Sequence, residues 1–228
     1  MKKVAFVIWT LVMLLGAAAC SQENQTDNTK ASSPPSERNA TNTASPAEGK
    51  GGGDNQSGTG QSEGGATVEE GADAVIKALK DKNMETLKSF IHPEKGLLFS
   101  PYVHIETESA LVFKRSGLPA LNDQKIYTWG LFDGSGEPIK MTFGQYVERF
   151  VYDKDFASPE QVGINEIKGS GNSLPNLKEV FPEGQYIDYY FSGQQENTGM
   201  DWVSLIIVLE EYKGRWFAVA AVHNQWTI

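Results

Sequence analysis

Three histidines and one cysteine are all that this chain of 228 residues offers for imidazole, thiol or soft-metal chemistry. His223 stands near the C-terminus in a region rich in aromatic side chains, and Asp201 precedes the same run of strands. An Asp beside a His in a dry pocket is an acid–base pair able to move protons. Tyr127, Trp129, Tyr189, Trp202 and Trp226 would wall such a pocket, since small-molecule sites are mostly apolar with few convergent polar groups. Aromatic residues in long strands also serve simply as core, so binding and packing both remain open for this set. His104, Glu106 and Glu108 alternate and would share one face of a strand as a half-shell for zinc or manganese. Their polar surroundings read instead as a solvated strand face or loop. Asp133, Ser135 and Glu137 mimic the opening of a calcium loop, but Pro138 stands where that loop needs Gly and no closing Glu follows; a hairpin turn fits better. His92 precedes Pro93 at the end of a helical pattern, where it can serve the last carbonyls. Motifs for serine hydrolases, phosphate loops, zinc proteases and dithiol redox centres are absent from the sequence, and no metal or cofactor is expected.

Cys20 has a different setting. Lys2 and Lys3 precede an apolar run from Val4 to Gly16, which closes with Ala17, Ala18 and Ala19. A positive start, a short apolar stretch and small residues at a cleavage point make an export signal, and the stretch falls short of the roughly 20 residues that span a bilayer. Three small residues directly before a cysteine resemble the lipobox of bacterial lipoproteins, in which that cysteine becomes the first mature residue and carries a diacylglycerol. The pattern departs at Ala17, where the family usually has Leu, and Ala17 with Ala19 also satisfies ordinary secretory cleavage. Simple secretion and an uncleaved anchor are the alternatives. Lipidation accounts for a lone cysteine in an oxidising compartment, where an unpaired thiol is a liability.

On this reading residues 1–19 are the signal peptide, 20–65 the lipidated cysteine with a tether, and 66–228 the folded domain. The tether is built of Ser, Thr, Asn, Gln, Gly, Pro, Ala and scattered charges. It lacks the apolar area needed to offset the cost of ordering, so disorder is expected, with a span of about 35–40 Å. Loss of the signal removes two lysines and no acid, leaving 18 basic against 29 acidic side chains. That balance argues against nucleic acid as a partner, because phosphate binding needs a basic patch. A membrane, reached through the lipid on Cys20, is the partner expected first.

Periodicity gives the helices and strands that would carry these residues. Thr67 and Glu70 form a capping signature before a helix of about 14 residues with Val68, Ala72, Val75, Ile76 and Leu79 on one face. Asn83 opens a second helix that Pro93 ends, and Thr142 with Gln145 opens a third, striped by Phe143, Tyr146, Val147, Phe150 and Val151. Strands are expected over Leu97–Ser100, Tyr102–Ile105, Ala110–Phe113, Lys125–Phe132, Ile139–Met141 and Gln161–Ile167, and a short helix over Ser173–Val180. Three long strands close the chain: Gln185–Phe191, Asp201–Tyr212 and Arg215–Trp226, the last two joined at Lys213-Gly214. Leu205–Leu209 is apolar on both faces, as in a central strand covered on each side. Helices followed by antiparallel strands make an α+β fold.

The segment Ala78–Pro93, together with a closing hairpin around Trp216-Phe217-Ala218-Val219, resembles the NTF2-like (cystatin-like) superfamily. Trp129–Pro138, Phe150–Phe156, Gly199–Trp202 and His223–Ile228 are similar to stretches of functionally uncharacterised bacterial lipoproteins. The resemblance implies N-terminal helices on a curved, mainly antiparallel sheet, a cone whose interior can hold a ligand. The superfamily hosts isomerases, dehydratases, binding modules and assembly domains, so the fold does not choose the function. The expectation is a protein anchored at the outer, extracytoplasmic face of the cell membrane, whose domain binds a small ligand, a wall component or an envelope protein without catalysis. The alternatives are an isomerase- or hydrolase-type enzyme using Asp201 and His223 and a structural accessory of an envelope complex.

Overall fold

A strand that is apolar on both faces must be paired along its edges and covered on each side, and the last two strands pair with one another. β7 (Val203–Tyr212) and β8 (Arg215–Gln225) pair antiparallel across Lys213 and Gly214, whose φ angles of 53° and 76° form the mirror-image turn that suits a twisted hairpin. A computed structural model describes residues 63–227; Cys20, the signal and all but the last residues of the tether lie outside them. The remaining elements are α1 (Val68–Lys80), α2 (Met84–Phe90), β1 (Leu97–Ser100), β2 (Leu111–Phe113), β3 (Ile126–Leu131), β4 (Pro138–Thr142), α3 (Phe143–Phe150), β5 (Gln161–Ile164), α4 (Leu177–Val180) and β6 (Gln185–Phe191). The fold is α+β. A six-stranded mixed sheet has the order β2-β1-β8-β7-β6-β5, with only β1 and β8 parallel, and β3 with β4 forms a separate two-stranded ribbon.

The helix starts are explained by their caps. Thr67 Oγ1 accepts the Glu70 N–H at 3.2 Å, while the Glu70 carboxylate accepts from Ala66 N at 3.1 Å. Asn83 accepts from Thr86 N, and Thr142 with Gln145 makes the full reciprocal box. Ordered structure reaches back slightly beyond the expected boundary at Ala66, because Gly65 exchanges two hydrogen bonds with Trp216 and Arg215 donates to the carbonyls of Glu63 and Gly64.

One face of the sheet, through Leu205, Ile207 and Leu209, shares a core with Val75, Ile76 and Leu79 of α1 and with Phe143, Tyr146 and Phe150 of α3. The other face, through Ile206, Val208, Ala220 and Val222, is covered by Val103, Ile105 and Leu177. β7 is therefore buried along both faces, as its composition requires.

Three expected elements differ. Residues 102–105 do not form a strand: Ser100 Oγ donates to the Tyr102 carbonyl, and the Asn176 side-chain amide satisfies both the N–H and the carbonyl of Ile105, in place of a neighbouring strand. The helix expected from Ser173 shrinks to one turn at Leu177–Val180, since Asn176 is committed to Ile105 and the Ser173 hydroxyl pairs with Thr227. The strand from Gln161 stops at Ile164, where Asn165 takes a φ of 53° and hydrogen-bonds to Tyr186.

Candidate functional site

Strand β3 carries the decisive irregularity. Its alternation directs Tyr127 and Trp129 inward, and one more step would bury Leu131. The register against β4 slips between Thr128 and Leu131, with Gly130 at φ 114°, a backbone that L side chains rarely adopt. Leu131 is thereby turned outward and left 57% exposed. Trp129, 2% exposed, stays inside, stacked on Tyr146 at 3.8 Å between ring centroids and donating Nε1–H to the Met141 carbonyl. The bulge opens a cleft.

This cleft, about 710 Å³, lies between the β3–β4 ribbon and residues 99–110, with Ser173 and Leu174 at one rim. Phe99 and Trp129 contribute to its lining, while Leu131 and Leu174, the latter 78% exposed, stand at its edge. Several of its polar groups are engaged within the protein. Ser100 and Ser109 hydroxyls donate to the carbonyls of Tyr102 and Glu106, and His104 Nδ1 lies 3.0 Å from the Leu174 carbonyl, which fixes it as a donor. Tyr102 Oη accepts the Asp133 N–H at 3.0 Å and so ties the ribbon tip to the facing loop.

The residues expected to form one pocket are dispersed. Trp129 lines the cleft and Tyr127 packs beside it, 5.6 Å away. Trp226 lines a smaller neighbouring cavity. Tyr189 donates its hydroxyl to Asp73 at 2.7 Å in a groove beside α1, and burial together with that bond raises its pKa well above the ordinary value. Trp202 is buried against Tyr190 and the backbone of Gly169.

Asp201 and His223 are not brought together. Asp201 accepts from Gln194 N at 2.7 Å and Asn197 Nδ2 at 2.8 Å, and those bonds, the Asn197 side chain first, hold its carboxyl below the usual range. It is an ionised tie of the 193–200 loop. His223 faces Leu205 in the sheet, while Asp201 lies two residues before the start of β7. The carboxylate that does approach His223 comes from the turn after α3: Asp153 Oδ2 is 3.3 Å from Nε2. His223 is 0% exposed with Phe150 edge-on to its ring, and its Nδ1 has no partner among the described residues. Neither member of this pair lines the cleft.

Two other expectations find their outcome. His92 does not serve the helix carbonyls; its Nδ1 accepts from the N–H groups of Glu94 and Lys95. Accepting there requires the neutral ring, and burial lowers the pKa accordingly. His104, Glu106 and Glu108 lie in a loop, and no group of three or more His, Cys, Asp or Glu among the described residues could hold a metal ion.

Tyr102, Leu131 and Leu174 also line the cleft, and the sequence pattern does not mark them as site residues. A signal existed for one of them: a glycine inside a strand pattern marks a bulge, and Gly130 sits between two aromatic-rich segments. No family model matches the chain, and no curated protein matches it.

Proposed function

We propose that this protein is an extracytoplasmic lipoprotein, held at the outer face of the cell membrane by a diacylglyceryl group on Cys20, whose domain binds a small and mainly apolar ligand. The domain is of the NTF2-like type, with α1 lying on the sheet as the helix of a cone. The observation that carries the binding role is the cleft beneath Leu131: about 710 Å³, with Phe99, Trp129, Leu131 and Leu174 in its walls and polar side chains among them, which is the size and character of small-molecule sites. Exposed leucines are costly to keep bare in a group, and a ligand burying them gains about 25 cal/mol for each Å² removed from water. Among the lining residues the hydroxyls of Ser100 and Ser109 and the His104 ring are bonded to backbone carbonyls, which suits recognition rather than chemistry. Wall components and envelope proteins are larger alternatives that would engage only its rim.

Binding of an apolar fluorescent naphthalene dye to the full chain, with and without Leu131→Asp combined with Leu174→Asp, tests the binding role. Saturable binding lost in the double variant is expected, whereas binding unchanged by it would remove the cleft from the account. The anchor is tested separately by Cys20→Ala, which is expected to move the protein out of the membrane fraction; retention there would overturn the lipid assignment.

A further inference from the structure

A second cavity, about 290 Å³, adjoins the cleft: Tyr102, Phe132 and Asp133 line both, and Arg149, Phe150, Gln225 and Trp226 complete the smaller one. Arg149 comes from the last turn of α3, and its guanidinium carbon lies 4.8 Å from the Phe132 ring centroid and 5.4 Å from that of Phe150. The other arginines among the described residues are tied to acceptors. Arg115 donates to Glu63 and the Ile91 carbonyl, and Arg215 to the carbonyls of Glu63 and Gly64. Arg149 has no protein acceptor among the described residues, even though the chain is acidic and the adjacent Glu148 pairs with Lys82. Aromatic faces orient a guanidinium without consuming its N–H groups. Five donors in a planar fork are thus presented beside an apolar cleft, the geometry that takes a carboxylate by two parallel bonds.

We infer that Arg149 is the oxyanion subsite of the cleft, and that the ligand is an amphiphile with an apolar body under Leu131 and one carboxylate at Arg149. This rests on the cleft being a binding site. Trp226, 37% exposed, lines the smaller cavity together with Arg149. Asp133 lines both cavities, and its N–H is held by Tyr102 Oη at the junction between them.

Octanoate and octan-1-ol, which share an alkyl chain and differ in the head, are the probes, with binding to the full chain measured by titration calorimetry at pH 7.5. Octanoate is expected to bind about tenfold tighter than the alcohol, the scale of a charge-assisted bidentate contact. In Arg149→Gln that advantage disappears while octan-1-ol binding stays, which also shows that the variant is folded. Arg149→Lys restores only part of it, because a point charge lacks the fork. Added salt shrinks it. An octanoate advantage that survives Arg149→Gln, or no advantage at all while the alcohol binds, overturns the subsite and leaves the cleft intact. If neither probe binds, the cleft reading falls and the subsite with it.

Discussion

The cleft rim and the far face of β6 break opposite rules of burial. At the rim, Leu131 and Leu174 are apolar and exposed, while nearby polar groups are satisfied. On β6, Asp188 is fully buried, one oxygen accepting the Lys168 N–H at 2.7 Å and the other left without a partner. Burial pushes its carboxyl up to about 6, against the opposing pull of the Lys168 N–H and Ser204. The Ser204 hydroxyl is not placed for a hydrogen bond of good geometry, yet lies near enough to temper the shift. The difference lies in what surrounds each exception. The ribbon β3–β4 stands outside the main sheet, so its bulge can leave a leucine facing outward and a ligand can still cover it. Asp188 sits between β5 and β7 with no exposed surface, and the cost there falls on stability.

The largest effect is expected at the floor that supports the rim. Trp129→Ala removes the ring stacked on Tyr146 and should cost about 3–5 kcal/mol in denaturant unfolding; a loss under about 1 kcal/mol would mean that the floor does not support the cleft. Next comes Asp188. A carboxyl raised from about 3.9 to about 6 on folding favours the protonated form, so its contribution is full below about pH 4 and is lost as pH rises through 6. Asp188→Asn should therefore stabilise the protein by about 2 kcal/mol at pH 7 and by little at pH 4, as read from paired unfolding curves. An equal effect at both pH values would break the contrast. The smallest effect on stability belongs to the rim itself: Leu131→Asp should shift unfolding by less than about 0.5 kcal/mol, because an exposed site forfeits little packing, while it abolishes binding of an apolar dye.

Much of the fold was legible because local chemistry and tertiary packing agree. Leu97–Ser100 and Gln185–Phe191 are strands over the very residues their composition marks, the Thr142 and Gln145 box forms in full, and Lys213-Gly214 turns as expected. Residues 102–105 escaped because an asparagine more than seventy residues later, Asn176, takes the role of a strand neighbour, which no local pattern announces. The candidate site was less legible for a related reason. Asp201 and His223 stand at neighbouring strand ends in sequence, but the register sets Asp201 beyond the pairing of Val203 with Gln225, and the turn after α3 delivers Asp153 instead. Trp129 was identified; the outward turn of Leu131 was not, since strict alternation buries it and only the slip at Gly130 exposes it.

In the proposed role the cleft beneath Leu131 takes an apolar ligand. Its most direct test is to titrate the isotopically labelled full chain with octan-1-ol and follow the methyl resonances by nuclear magnetic resonance. Saturable shifts confined to Leu131, Leu174 and Ala110 are expected, with the groove beside α1 at Ile76 and Val162 unmoved. Shifts that do not saturate, or that centre on that groove instead, would contradict it.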